Sequence, residues 1–332
     1  MLAWIERPTI DVELDQAIDL SFRHLFPEAL ASSRDLLEFI KRQVPPVARF
    51  LAYLVRVRTA NRFHREIVSL AKLVEADWRD VTVANITYDL VVSQMGCSTI
   101  ALPTAEGPVV ARNMDWSPED ILARASYLIR CTSGGRLRFW SAGWPGATGI
   151  VTGLSARGFA VVLNAVQYPG CFSKLGYPVL LHLRRVIEAS SDFDSALRVL
   201  TRQRLAASAL FTLVGDSNDR RVVIERTPTQ FALRWAKPEE ALLATNHFRA
   251  LSPASSNAGM SFERTNCSRF SALCRFFNES TAGRAVADDE LLYALSDPQV
   301  IQSITAQHII MRPSSGQIRL FVPRRLLANL GS

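Results

Sequence analysis

The stretch NITYDLVVSQMGCSTI, residues 85–100, lies where the spacing of the apolar residues changes. Between Asp11 and about Leu90, apolar residues recur every three or four positions, a spacing that predicts helices. After Cys97 they fall in short runs with Gly, Asn, Asp or Pro close by, which predicts strands. The sequence therefore predicts a helical part that ends near Gly96 and a sheet-rich part that begins with Cys97.

Downstream of this junction, short apolar runs alternate with helical patterns. The predicted strands are Ser98–Leu102, Val109–Arg112, Ala125–Cys131, Ala160–Leu163, Ala209–Val214, Arg221–Glu225 and Phe231–Trp235. The predicted helices are Pro178–Ala189, Phe193–Thr201, Glu263–Phe277 and Asp288–Leu295. His308–Arg312 and Gln317–Val322 flank the turn sequence PSSG, which predicts a β-hairpin. Sheets with helices packed outside them predict a layered α+β fold.

The helical part contains a basic and apolar stretch, Val47–Val74, in which arginines alternate with apolar residues. The Pro45-Pro46 pair before it predicts the start of a new helix, because proline is tolerated in a first turn. The stretch has two interpretations, a helix pair that docks an apolar stripe on the rest of the protein or a helix on a lipid surface. We favour the helix pair and retain membrane-surface contact through residues 47–74 as the alternative.

Composition narrows the function further. The chain has 332 residues, of which 48% are hydrophobic, enough for one large domain or two unequal ones. Its first residues lack a long apolar run, so we expect no secretory signal and a cytoplasmic location. The net charge of +7 is spread along the chain without a nucleic-acid-binding motif, so we do not expect nucleic acid as a partner. Five cysteines and scattered histidines without metal-ligand spacing lead us to expect neither a disulfide framework nor a metal or cofactor.

Residues that could carry chemistry surround Cys97. The next predicted strand ends in ARNMDW, residues 111–116, and an antiparallel hairpin would bring Arg112 and Asp115 back beside Cys97. A cation next to sulfur favours the thiolate, and a nearby carboxylate can orient an amine. The alternatives are a buried cysteine that acts as a small apolar side chain and a surface ion pair of little consequence.

Several motifs in order resemble the acid ceramidase and N-acylethanolamine acid amidase family, within the choloylglycine hydrolase group. They are PTIDVELD at 8–15, NITYD at 85–89, CSTI at 97–100, ARNMDW at 111–116, GATGIVTG at 146–153, LN at 163–164, ATNHF at 244–248 and FERT at 262–265. The resemblance implies an αββα N-terminal-nucleophile hydrolase sandwich preceded by a helical leader. Residues 1–96 would be the leader and residues 97–332 the catalytic body.

The resemblance also implies self-cleavage between Gly96 and Cys97, after which the two fragments stay associated. The Cys97 thiol would attack the Gly96 carbonyl, and glycine permits the close approach that this requires. The freed α-amino group, with an ordinary pKa of about 7.7 to 8.0, would then serve as the base for the thiol. This explains why no Cys/His pair is visible in the sequence.

The remaining roles also follow from the resemblance. Asp115 would accept hydrogen bonds from the Cys97 amine, and Arg112 would lie against the sulfur. The Asn246 side chain and the Asn164 backbone N–H would bind the oxyanion, where loss of one donor typically costs about a hundredfold in rate. Arg264 would support Asp115 or the wall of the site. Without the resemblance, Asn164 would be interpreted as a strand-end turn, Asn246 as a turn or a cap, and Arg264 as a charge on a helix surface.

The sequence departs from the family pattern at two places. Ser98-Thr99 stands where Thr-Ser is usual, and Ala165 stands where ceramidase-like members carry an acidic residue. We expect hydrolysis of a linear amide in a small-molecule substrate such as an N-acylethanolamine, a ceramide or an N-acyl amino acid. An acyltransferase of the isopenicillin N type is an alternative, because Gly-Cys and Thr-Asn-His-Phe also resemble those enzymes. A non-catalytic lipid-binding or interaction protein is another, and Ala165 is its best argument.

Overall fold

The computed structural model describes residues 4–15, 27–90, 95–166, 173, 175–251 and 261–327, without the side chains of residue 95 and residues 261–264. The strands are β1 (Trp4–Glu6), β2 (Thr9–Glu13), β3 (Met95–Leu102), β4 (Val109–Trp116), β5 (Tyr127–Ser133), β6 (Arg136–Gly143), β7 (Thr152–Ser155), β8 (Phe159–Ala165), β9 (Ala209–Val214), β10 (Arg221–Arg226), β11 (Phe231–Trp235), β12 (Leu242–Ala244), β13 (Thr305–Arg312) and β14 (Gln317–Pro323). The helices are α1 (Pro27–Gln43), α2 (Leu51–Arg58), α3 (His64–Leu73), α4 (Trp78–Ala84), α5 (Thr87–Leu90), α6 (Glu119–Ala125), α7 (Val179–Ala189), α8 (Phe193–Arg202), α9 (Ser261–Phe276) and α10 (Asp288–Leu295). Two 3₁₀ turns are formed by Pro46–Phe50 and Arg324–Leu326.

The strands form two sheets. The six-stranded sheet has the order β1-β14-β13-β4-β3-β12, and the eight-stranded sheet has the order β11-β10-β9-β8-β7-β6-β5-β2. Neighbouring strands are antiparallel except β2 and β5, which run parallel. Strand β2 falls within the motif PTIDVELD and therefore joins the helical leader to the eight-stranded sheet.

Side-chain alternation along the strands produces four layers, because successive residues point to opposite faces. Ala101 and Val110 of one sheet share an apolar cluster with Val162 of the other, between the sheets. The neighbouring residue Ile100 instead shares a cluster with residues of α9 and α10. On the far side, Leu163 packs in a cluster with residues of α7 and α8 and of the leader helices. The predicted helix–sheet–sheet–helix order is confirmed.

The predicted elements differ from the observed ones in a few places. The prediction of a strand from Ala125 is wrong, because Ala125 ends α6 and the strand begins at Tyr127. Helix α6 and strands β1, β6, β7 and β12 have no counterpart in the prediction, and the end of β2 lies in the stretch after Asp11 for which we predicted helices. Strand β12 has three residues and β7 has four, including Gly153, so neither gives a clear alternating pattern.

The stretch Val47–Val74 contains two different helices. Helix α3 docks on the protein through Ile67, Leu70 and Ala71, which are all buried, as we expected of a helix pair. In α2 only Ala52 and Val55 are buried. The exposed apolar residues of the turn before α2 and of α2 itself are Val47 (66% exposed), Phe50 (71%), Tyr53 (47%), Leu54 (44%) and Val57 (75%). Among the residues with assigned positions, no helix is long and apolar enough to cross a bilayer.

Candidate active site

The β3–β4 hairpin sets the geometry around Cys97. Its register pairs Gly96 with Asp115, Cys97 with Met114 and Thr99 with Arg112. Because directly paired residues share a face of the sheet, the Cys97 side chain lies on the same face as Arg112, and Asp115 lies on the opposite face. The two faces of this hairpin thus present a cation to the sulfur and a carboxylate to the backbone before it.

Arg112 contacts the sulfur directly. Its Nη2 lies 2.8 Å from Cys97 Sγ, and its Nη1 donates to Thr152 Oγ1 at 2.7 Å. The guanidinium is fully buried, and Thr152 lies on β7 of the opposite sheet. Because Arg112 is anchored from the other layer, its position relative to the sulfur is fixed by the packing of the two sheets.

Asp115 is fully buried and only half satisfied. Its Oδ1 accepts a hydrogen bond from Thr305 Oγ1 at 2.6 Å, whereas Oδ2 has no hydrogen-bond partner within the described ranges. A Cβ atom at Gly96 would lie 3.2 Å from this same Oδ2. A buried acceptor without a donor is costly, so this oxygen is well placed for a donor that forms next to Gly96.

Asn246, in the loop after β12, faces the backbone nitrogen of Cys97. Its Oδ1 accepts hydrogen bonds from Cys97 N at 3.0 Å and from Arg269 Nη2 at 2.8 Å. Its Nδ2 donates to the carbonyl oxygen of Ala165 at 2.8 Å, and this amide nitrogen carries a second N–H. The Asn246 backbone N–H donates to Asn266 Oδ1 at 2.8 Å.

Asn164 lies on β8, and its side chain is hydrogen-bonded to other residues of the protein. Its Oδ1 accepts from Thr99 Oγ1 at 2.7 Å, and its Nδ2 donates to the carbonyl oxygens of Ala244 and Thr245, both at 3.1 Å. Against the larger effect of burial, hydrogen bonding from the backbone amides of Ala165, the residue after Asn164, and of Asp115 lowers the pKa of the Cys97 thiol. Asn164 therefore ties β8 to β3 and β12, and its neighbour supplies one of the amides beside the nucleophile.

A further arginine, Arg269, was missed by sequence reasoning. It is fully buried on α9, and its Nη1 donates to the carbonyl oxygen of Cys97 at 2.5 Å and to Ser98 Oγ at 3.0 Å. The spacing of Asn266 and Arg269, three residues apart on one helix face, is the signal that could have identified them. The arginine that the sequence singled out, Arg264, lies at the start of the same helix, and its side chain is outside the described residues.

Burial governs the protonation states of the site. Burial raises the pKa of the Cys97 thiol, the charge of Arg112 lowers it, and the charge of Asp115 raises it, with a net shift upward. Burial also raises the pKa of Asp115, against the opposing effects of Arg269, Thr305 and Arg112. Arg112 alone is thus insufficient to ionise the thiol at neutral pH, and the sulfur needs a base.

Two cavities meet near the nucleophile. A small one beside Cys97 is lined by Tyr88, Met114, Trp116 and Ala165 among others. A larger one, of about 100 Å³, lies between α1, α3, α4 and the loop around Pro145. Among the described residues its lining is mostly apolar and includes no charged side chain, and Trp116 lines both cavities. Within the described part of the chain, no group of three or more His, Cys, Asp or Glu side chains could hold a metal ion.

Comparison with known proteins gives a consistent set of similarities. The family model described as acyl-coenzyme A:6-aminopenicillanic acid acyl-transferase matches residues 103–327. The 40 kDa form of acyl-coenzyme A:6-aminopenicillanic-acid-acyltransferase from Emericella nidulans is 27% identical over 197 residues, or 56% of this chain and 52% of that protein. The N-acylethanolamine-hydrolyzing acid amidase of Caenorhabditis elegans is 20% identical over 236 residues, covering 65% and 66% of the two chains. The acid ceramidase of Balaenoptera acutorostrata scammoni is 24% identical over 192 residues, covering 51% and 48%.

The fold has a counterpart among solved structures. The structure of a C. elegans N-acylethanolamine-hydrolyzing acid amidase ortholog aligns with a TM-score of 0.55 at 18% identity, covering 66% of this chain and 93% of that one. The matched part of the chain spans from about half to two thirds of the length of the three curated relatives.

Proposed function

Because the chain belongs to the acyl-coenzyme A:6-aminopenicillanic acid acyl-transferase family, we propose that it is a self-processing cysteine amidohydrolase with Cys97 as nucleophile. Its sandwich is the N-terminal-nucleophile hydrolase fold. The proposed substrates are lipid-like N-acyl amides such as N-acylethanolamines or ceramides, the compounds in the names of two relatives. In this proposal residues 1–96 become one fragment and residues 97–332 the other.

One observation carries the proposal: the sulfur and the backbone nitrogen of Cys97 contact different polar groups. The sulfur lies 2.8 Å from Arg112 Nη2, and the nitrogen lies 3.0 Å from Asn246 Oδ1. Asp115 Oδ2, which has no hydrogen-bond partner among the described residues, lies next to Gly96, on the other side of the bond to be cleaved. A cysteine that served only as a small apolar side chain would not require a cation at its sulfur and acceptors around its nitrogen.

In the self-cleavage step, Cys97 Sγ attacks the carbonyl carbon of Gly96. The bond from that carbon to Cys97 N breaks, the thiol proton ends on the departing nitrogen, and a thioester forms. Water then adds to the thioester carbonyl, which gives a Gly96 carboxylate and restores the thiol. The new amine would donate to Asn246 Oδ1 and to Asp115 Oδ2, which satisfies the buried carboxylate oxygen.

In the hydrolytic cycle the same sulfur attacks the substrate amide. The Cys97 amine takes the thiol proton and passes it to the leaving amine, and water releases the acid from the thioester. The raised pKa of the thiol makes this base necessary. The second N–H of Asn246 and a backbone N–H of Asn164 or Ala165 would bind the oxyanion. Arg112 would stabilise the thiolate, and Arg269 would fix the Cys97 carbonyl and the Asn246 amide. A role for Arg264 in the wall of the site stays part of the proposal.

The large cavity supports an apolar acyl group. Its mostly apolar lining, uncharged among the described residues, suits a hydrocarbon chain, because burying a charge there would leave it unpaired. Trp116 lines both this cavity and the space beside Cys97, so the scissile amide would lie next to the indole ring. We therefore assign the acyl chain to the cavity between the leader helices and the body.

Buried polar contacts support the association of the two fragments after cleavage. Arg184 on α7 makes a two-pronged ion pair with Glu66 on α3, with both N–O distances at 3.2 Å. Asn85 Oδ1 accepts hydrogen bonds from the backbone amides of Thr148 and Gly149. These contacts join residues on opposite sides of the cleavage point and are independent of the bond between Gly96 and Cys97.

The exposed apolar face of Val47–Val57 supports contact with an anionic membrane surface. Between residues 39 and 65 the chain carries seven Lys and Arg and no acidic residue, and apolar side chains with adjacent cations are the composition that favours binding at a lipid interface. Sedimentation with phosphatidylserine vesicles tests this contact. Phe50→Asp should reduce binding, whereas equal binding of both proteins to anionic and neutral vesicles would contradict it.

Acyl transfer is the second candidate, favoured by the E. nidulans acyltransferase, 27% identical over 197 residues. It uses the same thioester, which an amine rather than water would open. Product analysis of wild type and Cys97→Ala with palmitoylethanolamide and a ceramide, with and without an added acceptor amine, separates the two. Free fatty acid from wild type alone supports hydrolysis, and a new amide formed only with the acceptor supports transfer. A wild type that acts on neither substrate and stays uncleaved supports the non-catalytic lipid-binding alternative.

A further inference from the structure

The loop that carries Asn246 is held from behind by a buried carboxylate. Glu225, on β10, is fully buried and accepts hydrogen bonds from three successive backbone amides, those of Arg249, Ala250 and Leu251. The four distances lie between 2.8 and 3.0 Å. Successive backbone N–H groups that converge in this way form an anion-binding nest, here filled by a side chain of the protein itself.

An arginine joins this carboxylate to the strand on the other side of Asn246. Arg234, on β11, donates from Nε to Glu225 Oε1 at 2.8 Å and from Nη2 to the carbonyl oxygen of Leu243 at 3.0 Å. Leu243 lies on β12, three residues before Asn246 in the chain. The Glu225–Arg234 pair therefore holds the chain both before and after Asn246.

The backbone on both sides of Asn246, held by Glu225 and Arg234, determines where the Asn246 side-chain amide lies. Its Oδ1 is shared between Cys97 N and Arg269, and its Nδ2 is directed at the Ala165 carbonyl. A buried ion pair adds little net stability over an apolar pair of the same size, because both charges lose their hydration. Its advantage is a fixed geometry, which an amide that must hydrogen-bond to reacting atoms needs.

We propose that Glu225 and Arg234 are positioning residues that act on catalysis through Asn246, an inference that rests on the role of Asn246 in the proposed function. In Glu225→Gln one acceptor oxygen becomes an NH₂ group, which cannot accept from the amides of residues 249–251. The loop then loses part of its anchor, and the Asn246 amide moves relative to Cys97. Displacements of about 1 Å in such a group lower rates on the order of a hundredfold.

The experiment makes two measurements. The first is the rate at which purified full-length chain is converted to fragments, and the second is kcat and KM for palmitoylethanolamide. The variants are Glu225→Gln, Asn246→Ala and the double variant. Arg234→Lys, which keeps the charge but cannot reach both partners, is a milder second variant in case Glu225→Gln does not fold. Asp288→Asn is the matched control, because it removes a carboxylate that pairs with an arginine, Arg312. The side chains of Asp288 and Arg312 are 17% and 19% exposed, and both residues are distant in sequence from the Asn246 loop. Thermal unfolding is recorded for all of them.

We expect Glu225→Gln to lower kcat and the cleavage rate on the order of tenfold to a hundredfold with KM changed less than about twofold, and Arg234→Lys less strongly. Asp288→Asn should lower Tm about as much as Glu225→Gln does, but should leave kcat and the cleavage rate unchanged. The double variant should be no slower than Asn246→Ala alone, because both changes remove the same interaction. Additive losses, or a Glu225→Gln rate equal to that of Asp288→Asn, would overturn the positioning role and leave the proposed function intact. An Asn246→Ala variant as fast as wild type, or a wild type without either activity, would overturn both.

Discussion

Gly96 and Asp115 face each other across the β3–β4 ladder so closely that a Cβ atom at Gly96 would lie 3.2 Å from Asp115 Oδ2. That oxygen has no hydrogen-bond partner within the described residues, although it is buried. The lack of a side chain at Gly96 leaves room for the Asp115 carboxylate, so the two residues form one arrangement at the bond that we propose to be cleaved. Cleavage would supply the amine that this carboxylate lacks.

The first prediction tests this contact with a single methyl group. Gly96→Ala should slow the appearance of fragments about tenfold, because the new Cβ pushes the carboxylate away from the Cys97 nitrogen. Time courses on denaturing gels measure the rate. Gly283→Ala is the matched control, since nothing lies within 4 Å of a Cβ at that position. Equal rates for the two alanine variants would show that the close approach has no effect on cleavage.

The second prediction concerns the pH dependence of the thiol. Arg112 lowers the pKa of Cys97 against the larger effect of burial, so its removal raises that pKa further. In Arg112→Gln the alkylation of Cys97 by iodoacetamide should therefore require a higher pH, with the rate at fixed pH falling roughly tenfold per pKa unit. Mass spectrometry of the peptide that contains Cys97 quantifies the adduct in wild type and in both variants, with cleaved and uncleaved chains scored separately. Arg112→Lys keeps a cation and should shift the profile less. Profiles for both variants that coincide with wild type would rule out the electrostatic role.

The third prediction concerns the acyl chain. Ala84 on α4 lines the large cavity, so Ala84→Phe should fill part of it. We expect kcat/KM for palmitoylethanolamide to fall on the order of tenfold or more, while a short acyl amide is little affected. Ala156→Phe, at an exposed turn, is the control of equal size. A parallel loss for long and short chains would place the acyl group elsewhere.

The fourth prediction concerns the association of the fragments. Glu66→Gln removes the charge that pairs with Arg184, and the two side chains are 18% and 5% exposed. Arg184 keeps its ion pair with Glu188 (2.7 Å) but loses the charge contributed by the other fragment, which should weaken the contact by on the order of 1 kcal/mol. Size-exclusion chromatography of cleaved protein in increasing urea should show separation at a lower concentration. Glu75→Gln, which breaks an exposed pair with Arg34 (82% and 43% exposed), should have little effect.

The features that could be predicted from the sequence are those that depend on the local pattern of apolar residues and on short motifs. The change of apolar spacing at Gly96 and Cys97 placed the boundary between helices and sheets, and the hairpin length placed Arg112 and Asp115 near the thiol. The layered fold and the resemblance to the acid ceramidase and N-acylethanolamine acid amidase family are confirmed. These features depend on residues close together in the chain, or on motifs whose order the family shares.

Long-range contacts could not be predicted in the same way. Arg269 reaches the Cys97 carbonyl across 172 positions. Its spacing from Asn266 places both residues on one helix face but does not indicate which strand that face contacts. The larger cavity beside Trp116 forms where α1, α3 and α4 pack against the loop around Pro145. One of the two backbone amides that lower the pKa of the thiol belongs to Ala165, which in the sequence was only a departure from the family pattern.

The most direct test of the central claim is the intact mass and amino-terminal sequence of the purified protein. We predict that wild type yields two fragments that meet between Gly96 and Cys97, with a free α-amino group on Cys97. Cys97→Ala should remain a single chain. A wild-type chain that hydrolyses palmitoylethanolamide while it stays uncleaved, or that is cleaved at another bond, would contradict the account.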